Sequence, residues 1–127
     1  MPLLCFNKAT DPAAPDDLRI NPAAVLYVEA SRPDLIGQTT IHLLGQGTSV
    51  NAVTQSLATV VSAIGSLIGA TRHYLAPPPD DGASTVYLAP INISHVRPNR
   101  PASPEFWYVK FVDGSEVRIV DPLPDGL

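Results

Sequence analysis

The chain has 127 residues, a formal net charge of −4 and a single cysteine, Cys5. That length supports one domain with one core, 1–127, and is too short for two independent ones. The acidic balance disfavours nucleic acid as a partner, and one cysteine excludes a disulfide framework or a cysteine-rich zinc site, which fits a cytoplasmic setting.

The opening MPLLCFNKATD lacks the basic segment and long apolar run of a secretory signal, so its apolar residues read as a first strand, Leu3 to Asn7. Thr10 to Asp17, rich in Pro and Asp, is a turn region, and Leu18 to Asn21 resumes the sheet. VLYVEA, from Val25 to Ala30, alternates and is expected to be half-buried. After a loop holding Arg32, Pro33 and Gly37, the strand Thr39 to Leu44 turns at Gly45, Gln46 and Gly47 into Thr48 to Val53.

Thr54 to Gly69, TQSLATVVSAIGSLIG, is the one convincing helix, with Asn51 or Thr54 near its cap. Val53, Leu57, Val60, Ile64 and Leu67 recur at steps of four and three, which places them on one stripe facing the core. No Lys, Arg, Asp or Glu occurs between Asp34 and Arg72. A solvated helix normally carries charge on its outer face, so this small, neutral face is expected to be covered too. Ser62, Gly65, Ser66 and Gly69 are the expected oligomer interface, and the two glycines would let another backbone approach. Polar residues from Asn51 to Ser66 dilute the run below the ~20 apolar residues of a membrane span, so the expected partner is a second copy rather than a bilayer.

The second half repeats the first. At an offset of 68 residues Phe6 meets Tyr74, Ile20 meets Leu88, Pro22 meets Pro90, Val25 meets Ile93, Val28 meets Val96, Ile41 meets Val109 and Leu43 meets Phe111. The offset then shortens by one, bringing Gly47 to Gly114 and Val50 to Val117. The second copy reads as a strand Arg72 to Leu75, the loop APPPDDGAS, strands Thr85 to Leu88 and Asn92 to Arg97, the proline-rich loop Pro98 to Pro104, and a hairpin. Phe106 to Val112 and Glu116 to Val120 form that hairpin about Asp113-Gly114. The predicted fold is α+β: two tandem antiparallel β meanders, 1–53 and 70–121, with one central helix, 54–69, and a short tail, 122–127.

Asn21, Val25, Tyr27, Val28, Glu29, Ile41, Leu43, Gly47, Val50, Ser56, Leu57, Val60 and Ile64 follow an order that resembles the short flagellar-operon proteins of the FlbD type. The second copy follows it through Ile93, Val96, Val109, Phe111, Asp113, Gly114 and Val117, without the helix. That resemblance implies a regulatory or protein-interaction module. VLYVEAS is also similar to the first strands of LytTR DNA-binding domains, which use basic strand and loop positions; this chain supplies no comparable basic surface.

No catalytic motif is present. Gly45-Gln46-Gly47 is a turn without a dinucleotide fingerprint, the serines lack a GxSxG elbow, and no GxxxxGK[ST] occurs. His42, His73 and His95 are too scattered for a metal site, and the pairs Asp16-Asp17 and Asp80-Asp81 read as turn residues. Neither a metal nor a cofactor is expected.

The suggestive grouping is basic and aromatic and belongs to the second copy: Arg97, Arg100, Trp107, Lys110 and Arg118, with Arg72 and Tyr74 from the equivalent first strand. Arginine forks hold phosphates or carboxylates and an aromatic face stacks on a base, so these residues could form an anion or nucleotide pocket. The alternative arrangement buries Trp107, leaves Arg97 and Arg100 solvated and pairs Lys110 with Glu116. The first copy has Glu29, Thr39 and His42 where the second has Arg97, Trp107 and Lys110. The expected function is a non-enzymatic, oligomeric binding protein that holds or sequesters a small anionic, nucleotide-like ligand, by analogy with small phage proteins that sequester cyclic nucleotides. The alternative is a FlbD-like interaction module, with LytTR-like DNA binding less favoured.

Overall fold

The computed structural model describes residues 3–8, 16–30, 38–46, 51–73 and 85–127. Among the described residues there are ten strands and one α-helix: β1 Leu4–Lys8, β2 Asp16–Ile20, β3 Val25–Ala30, β4 Thr39–Leu43, β5 Asn51–Val53, α1 Leu57–Ile64, β6 Ile68–Thr71, β7 Thr85–Leu88, β8 Ile93–Pro98, β9 Phe106–Phe111 and β10 Glu116–Val120. Single 3-10 turns, Pro22–Ala24 and Pro90–Asn92, lead into β3 and β8. The strands form a seven-stranded sheet, β2-β1-β5-β4-β3-β7-β6, and a three-stranded sheet, β10-β9-β8, with every pair antiparallel. The fold is α+β.

Two cores flank the larger sheet. Phe6, Ile20, Val25, Val28, Ile41 and Val53 pack with Val60 of α1 on one side. Leu26, Tyr27, Val86 and Leu88 pack with Val109, Phe111, Val117 and Ile119 of the smaller sheet on the other. β3 contributes to both, so Val25 to Val28 are all buried instead of alternating. A register shift between Val25 and Tyr27 places Leu26 and Tyr27 in the same core, because an extra residue in one strand sends two successive side chains to the same face.

The helix is half the length that the sequence suggests. Ser56, rather than Asn51 or Thr54, caps it by accepting the N–H of Thr59. Asn51 lies in β5, and the Thr54 N–H donates to Asn7 O at 2.9 Å. At the other end Gly65 takes φ 71° with ψ 168° and Ser66 takes φ 54°, and two successive residues at positive φ cannot continue a right-handed helix. The chain then enters β6, which pairs with β7 from Ile68↔Leu88 to Thr71↔Thr85. The five-residue stripe is nonetheless core: Val53 and Val60 are fully buried, and Leu57, Ile64 and Leu67 pack against the same cluster. Periodicity marked the right residues while misreading the backbone that carries Leu67.

With the helix this short, the four residues expected at an oligomer interface do not share one helical stripe. Ser62 alone lies on α1, Gly65 and Ser66 form its terminating turn, and Gly69 is a strand residue. A Cβ at Gly69 would lie 3.3 Å from the Tyr87 ring, so its smallness serves packing within the sheet. No helix among the described residues is long and apolar enough to cross a membrane.

Several features recur 68 residues apart. Ala24 N–H donates to Asn21 O and Asn92 N–H to Ala89 O; Leu44 N–H donates to Ala24 O at 2.8 Å and Val112 N–H to Asn92 O at 2.9 Å. The register shift of β3 against β4 returns in β8 against β9, with Tyr27↔His42 matched by His95↔Lys110. After the hairpin turn Ile41 faces Asn51 whereas Val109 faces Val117, so Val117 corresponds to Asn51 rather than Val50. The two units meet where Asn92 Nδ2 donates to Ala23 O at 2.7 Å and Val25 O at 2.8 Å, and where Gly45 N–H donates to Asp113 Oδ2 at 3.1 Å.

Other differences are local. Asp16 and Asp17 belong to β2 rather than to a turn. Arg72 makes an isolated bridge to Ile119, linking the sheets; residues 74 and 75 of the strand expected from Arg72 to Leu75 lie outside the described residues. Tyr74, Asp80 and Asp81 lie outside the described residues.

Candidate functional site

In β9 successive side chains alternate between faces. Trp107, Val109 and Phe111 turn toward the core between the sheets, which leaves Phe106, Tyr108 and Lys110 on the opposite face. The register completes that face: Arg97 and Arg118 flank Tyr108, and His95 and Glu116 flank Lys110. Asp113 and Gly114 fix this register, Gly114 with φ 91° and Asp113 Oδ1 accepting from Ser115 N–H at 2.9 Å.

The two arginines converge on one ring. The Arg97 guanidinium lies 4.3 Å from the Tyr108 centroid and that of Arg118 lies 5.3 Å from it. Arg118 is also 5.5 Å from the Phe106 centroid, and Phe106 meets Tyr108 edge-on at 5.2 Å. His73 stacks on Phe106 at 4.2 Å, held there by its backbone N–H bond to Arg118 O at 2.9 Å. Its Nδ1 is buried without a hydrogen-bond partner.

Among the described residues, neither Arg97 nor Arg118 has a carboxylate within ion-pair distance. Three other cations do have one. Arg100 reaches Glu105 at 3.4 Å, Lys110 reaches Glu116 at 3.9 Å across the hairpin, and Arg72 is engaged with Glu29. The structure thus gathers Arg97, Lys110 and Arg118 on one face and removes three other expected members. Arg100 sits in the loop that Asn99 closes by accepting from Glu105 N–H and Phe106 N–H. Trp107 faces the core side, with its indole N–H donating to Asp121 at 2.8 Å. Arg72 points to the opposite sheet. Tyr108 and Phe106 belong to the site; period-two spacing from Lys110 is the sequence signal that identifies them.

The position equivalent to Arg97 shows the opposite polarity. The Glu29 carboxylate accepts from Arg72 Nη1 at 2.8 and 2.7 Å and contacts His42 Nε2 at 3.1 Å. Burial would raise this carboxyl, but hydrogen bonds from His42 and Arg72 outweigh it and hold the group below the ordinary 4.5. His42 stacks on Tyr27 at 4.0 Å, and Tyr27 on Phe111 at 5.6 Å. With its acceptor oxygens engaged, this carboxylate joins β3, β4 and the end of β6.

A separate apolar groove of about 550 Å³ opens beside the end of α1, lined by Leu4, Pro22, Ile64, Gly65, Ser66 and Ile91 among others. Ile91 is 75% exposed at its rim. No three His, Cys, Asp or Glu side chains gather as a metal site among the described residues.

No known family model, no curated protein and no solved structure matches this chain. The resemblance to FlbD-type and LytTR proteins therefore rests on the sequence residues alone.

Proposed function

We propose that this chain is a non-enzymatic cytoplasmic binding protein whose three-stranded sheet presents a small-anion site at Arg97, Tyr108 and Arg118, with Lys110 beside it. The carrying observation is the convergence of two guanidiniums on one ring with no carboxylate partner among the described residues. Each cation gains ~0.5–1 kcal/mol from an exposed ring, which positions it without neutralising it. An oxyanion between the two would relieve their mutual repulsion and accept charge-assisted hydrogen bonds from donors already in place. Calorimetry against a panel of phosphates, nucleotides and carboxylates tests this reading. Binding that Arg97→Ala and Arg118→Ala abolish, while Arg100→Ala leaves it intact, supports it; no heat with any member removes it.

Self-association is the second part of the reading. Gly65 and Ser66 line the apolar groove, with Ile91 exposed at its rim, and a patch carrying both a knob and a hollow suits a self-complementary contact. Light scattering tests it, since a monodisperse monomer would defeat it. The recurring hydrogen bonds and register shifts favour descent from a duplicated β unit whose second copy kept the anion-binding face. The competing reading is a protein-interaction module of FlbD type that uses the same groove. A stoichiometric partner in a pull-down, lost in Ile91→Lys, together with no anion binding, would favour it.

A further inference from the structure

A base stacks on an aromatic side chain only where the ring offers a free face. On this surface guanidiniums and the His73 ring already lie against the aromatic side chains. Tyr108 has the Arg97 guanidinium over it at 4.3 Å and that of Arg118 at 5.3 Å. Phe106 is only 8% exposed, with His73 nearly parallel to it at 4.2 Å and 17°. Trp107, the ring best suited to stacking, belongs to the other side of β9. What the site offers to solvent first is the N–H donors of the two guanidiniums that lie against Tyr108.

Those donors have a defined arrangement. Arg97 and Arg118 project from the strands on either side of β9, whose ~4.8 Å spacing sets their Cα atoms roughly 10 Å apart, and both lean inward over Tyr108. A guanidinium fork uses both oxygens of a carboxylate at once, so one monocarboxylate satisfies a single arginine. A diphosphate carries enough oxygens, and enough charge, for both. Lys110, one pair further along β9, is partly offset by Glu116 at 3.9 Å and contributes less.

Resting on the anion-site reading above, we infer that the site recognises the phosphoryl part of its ligand alone: a diphosphate bridged between Arg97 and Arg118, with any sugar and base left in solvent. The phosphoryl group, not the nucleoside, is the specificity element. Base identity does not matter to affinity.

Calorimetric titration of the full chain with inorganic pyrophosphate, ADP, adenosine and acetate tests this. Pyrophosphate and ADP are expected to bind within about threefold of one another, and adenosine and acetate not to bind. Arg97→Gln and Arg118→Gln should each weaken pyrophosphate at least about tenfold. Arg97 is exposed on an edge strand and its side chain gives up only the ring contact with Tyr108, worth ~0.5–1 kcal/mol, so its variant stays folded, with a melting temperature lowered by no more than a few degrees, and loss of the fold is not the explanation. ADP binding ten or more times tighter than pyrophosphate, by roughly 1.4 kcal/mol or more, would overturn the phosphoryl-only proposal while leaving the anion site standing. Failure of every probe to bind would remove the anion site itself.

Discussion

Arg72 and Glu29 meet in a two-pronged ion pair, with Arg72 Nη1 2.8 and 2.7 Å from the two carboxylate oxygens and His42 Nε2 on the same carboxylate at 3.1 Å. Arg72 leaves the end of β6 at one edge of the large sheet, while Glu29 lies in β3, two strands inward with β7 between. Their side chains are only 24% and 13% exposed, so water does little to compensate a broken pair. Glu29→Ala should therefore destabilise the fold by ~3 kcal/mol, whereas Glu29→Gln with Arg72→Met should cost clearly less because no uncompensated charge remains. Chemical denaturation of the three proteins checks this.

The same carboxylate gives the fold an acid limit. Its folded pKa lies below the ordinary 4.5, because hydrogen bonds from His42 and Arg72 outweigh the burial that would raise it. Such a group stabilises fully above the unfolded value and loses that contribution as the pH falls through the folded one. Stability of the native chain should fall below about pH 4.5, and Glu29→Gln should fall less steeply there, as thermal melts across pH 3 to 7 would show.

Asn92 joins the two β units by donating to Ala23 O and Val25 O, and it is 8% exposed. Removing it leaves the Val25 carbonyl buried without that donor. Asn92→Ala should cost ~2 kcal/mol, measured by denaturation, while substitution of its exposed neighbour Ile91 by Ala should cost little.

Helix α1 is held at eight residues by its ends. Gly65 takes φ 71° and ψ 168°, a conformation open essentially to glycine alone, with open space around it, so Gly65→Ala meets no clash and reads out backbone strain alone, ~2 kcal/mol. Ser56→Ala, which deletes the cap on Thr59 N–H, should also cost ~1 kcal/mol. An unchanged melting temperature in both variants would argue for the longer, sixteen-residue helix.

Much of the fold was legible because strands declare themselves by alternation and turns by Gly and Asp; Phe106 to Val120 is the clearest case, and the Asp113-Gly114 hairpin forms as read. β3 departs from its alternating pattern because it is covered on both faces, a property of tertiary packing that a strand's own residues express only as a continuous apolar run. The helix is shorter than its periodicity suggests because Leu67 sits at helical spacing yet reaches the same core through a turn at positive φ, Gly65 and Ser66. Of the candidate site, the sequence marks Arg97, Lys110 and Arg118, which the registers of β8, β9 and β10 align on one face. It was not legible in Arg72, whose partner Glu29 is 43 residues away, nor in the covering of Phe106 by His73.

The most direct test of the anion site is an NMR titration of the chain with inorganic pyrophosphate, following backbone amides and arginine side-chain Nε–H signals. Saturable shifts are expected, confined to the outer face of the three-stranded sheet, largest at Arg97, Tyr108 and Arg118 and absent in Arg97→Gln. Shifts centred on Leu4, Ile64 and Ile91 beside the end of α1, or none that saturate, would contradict it.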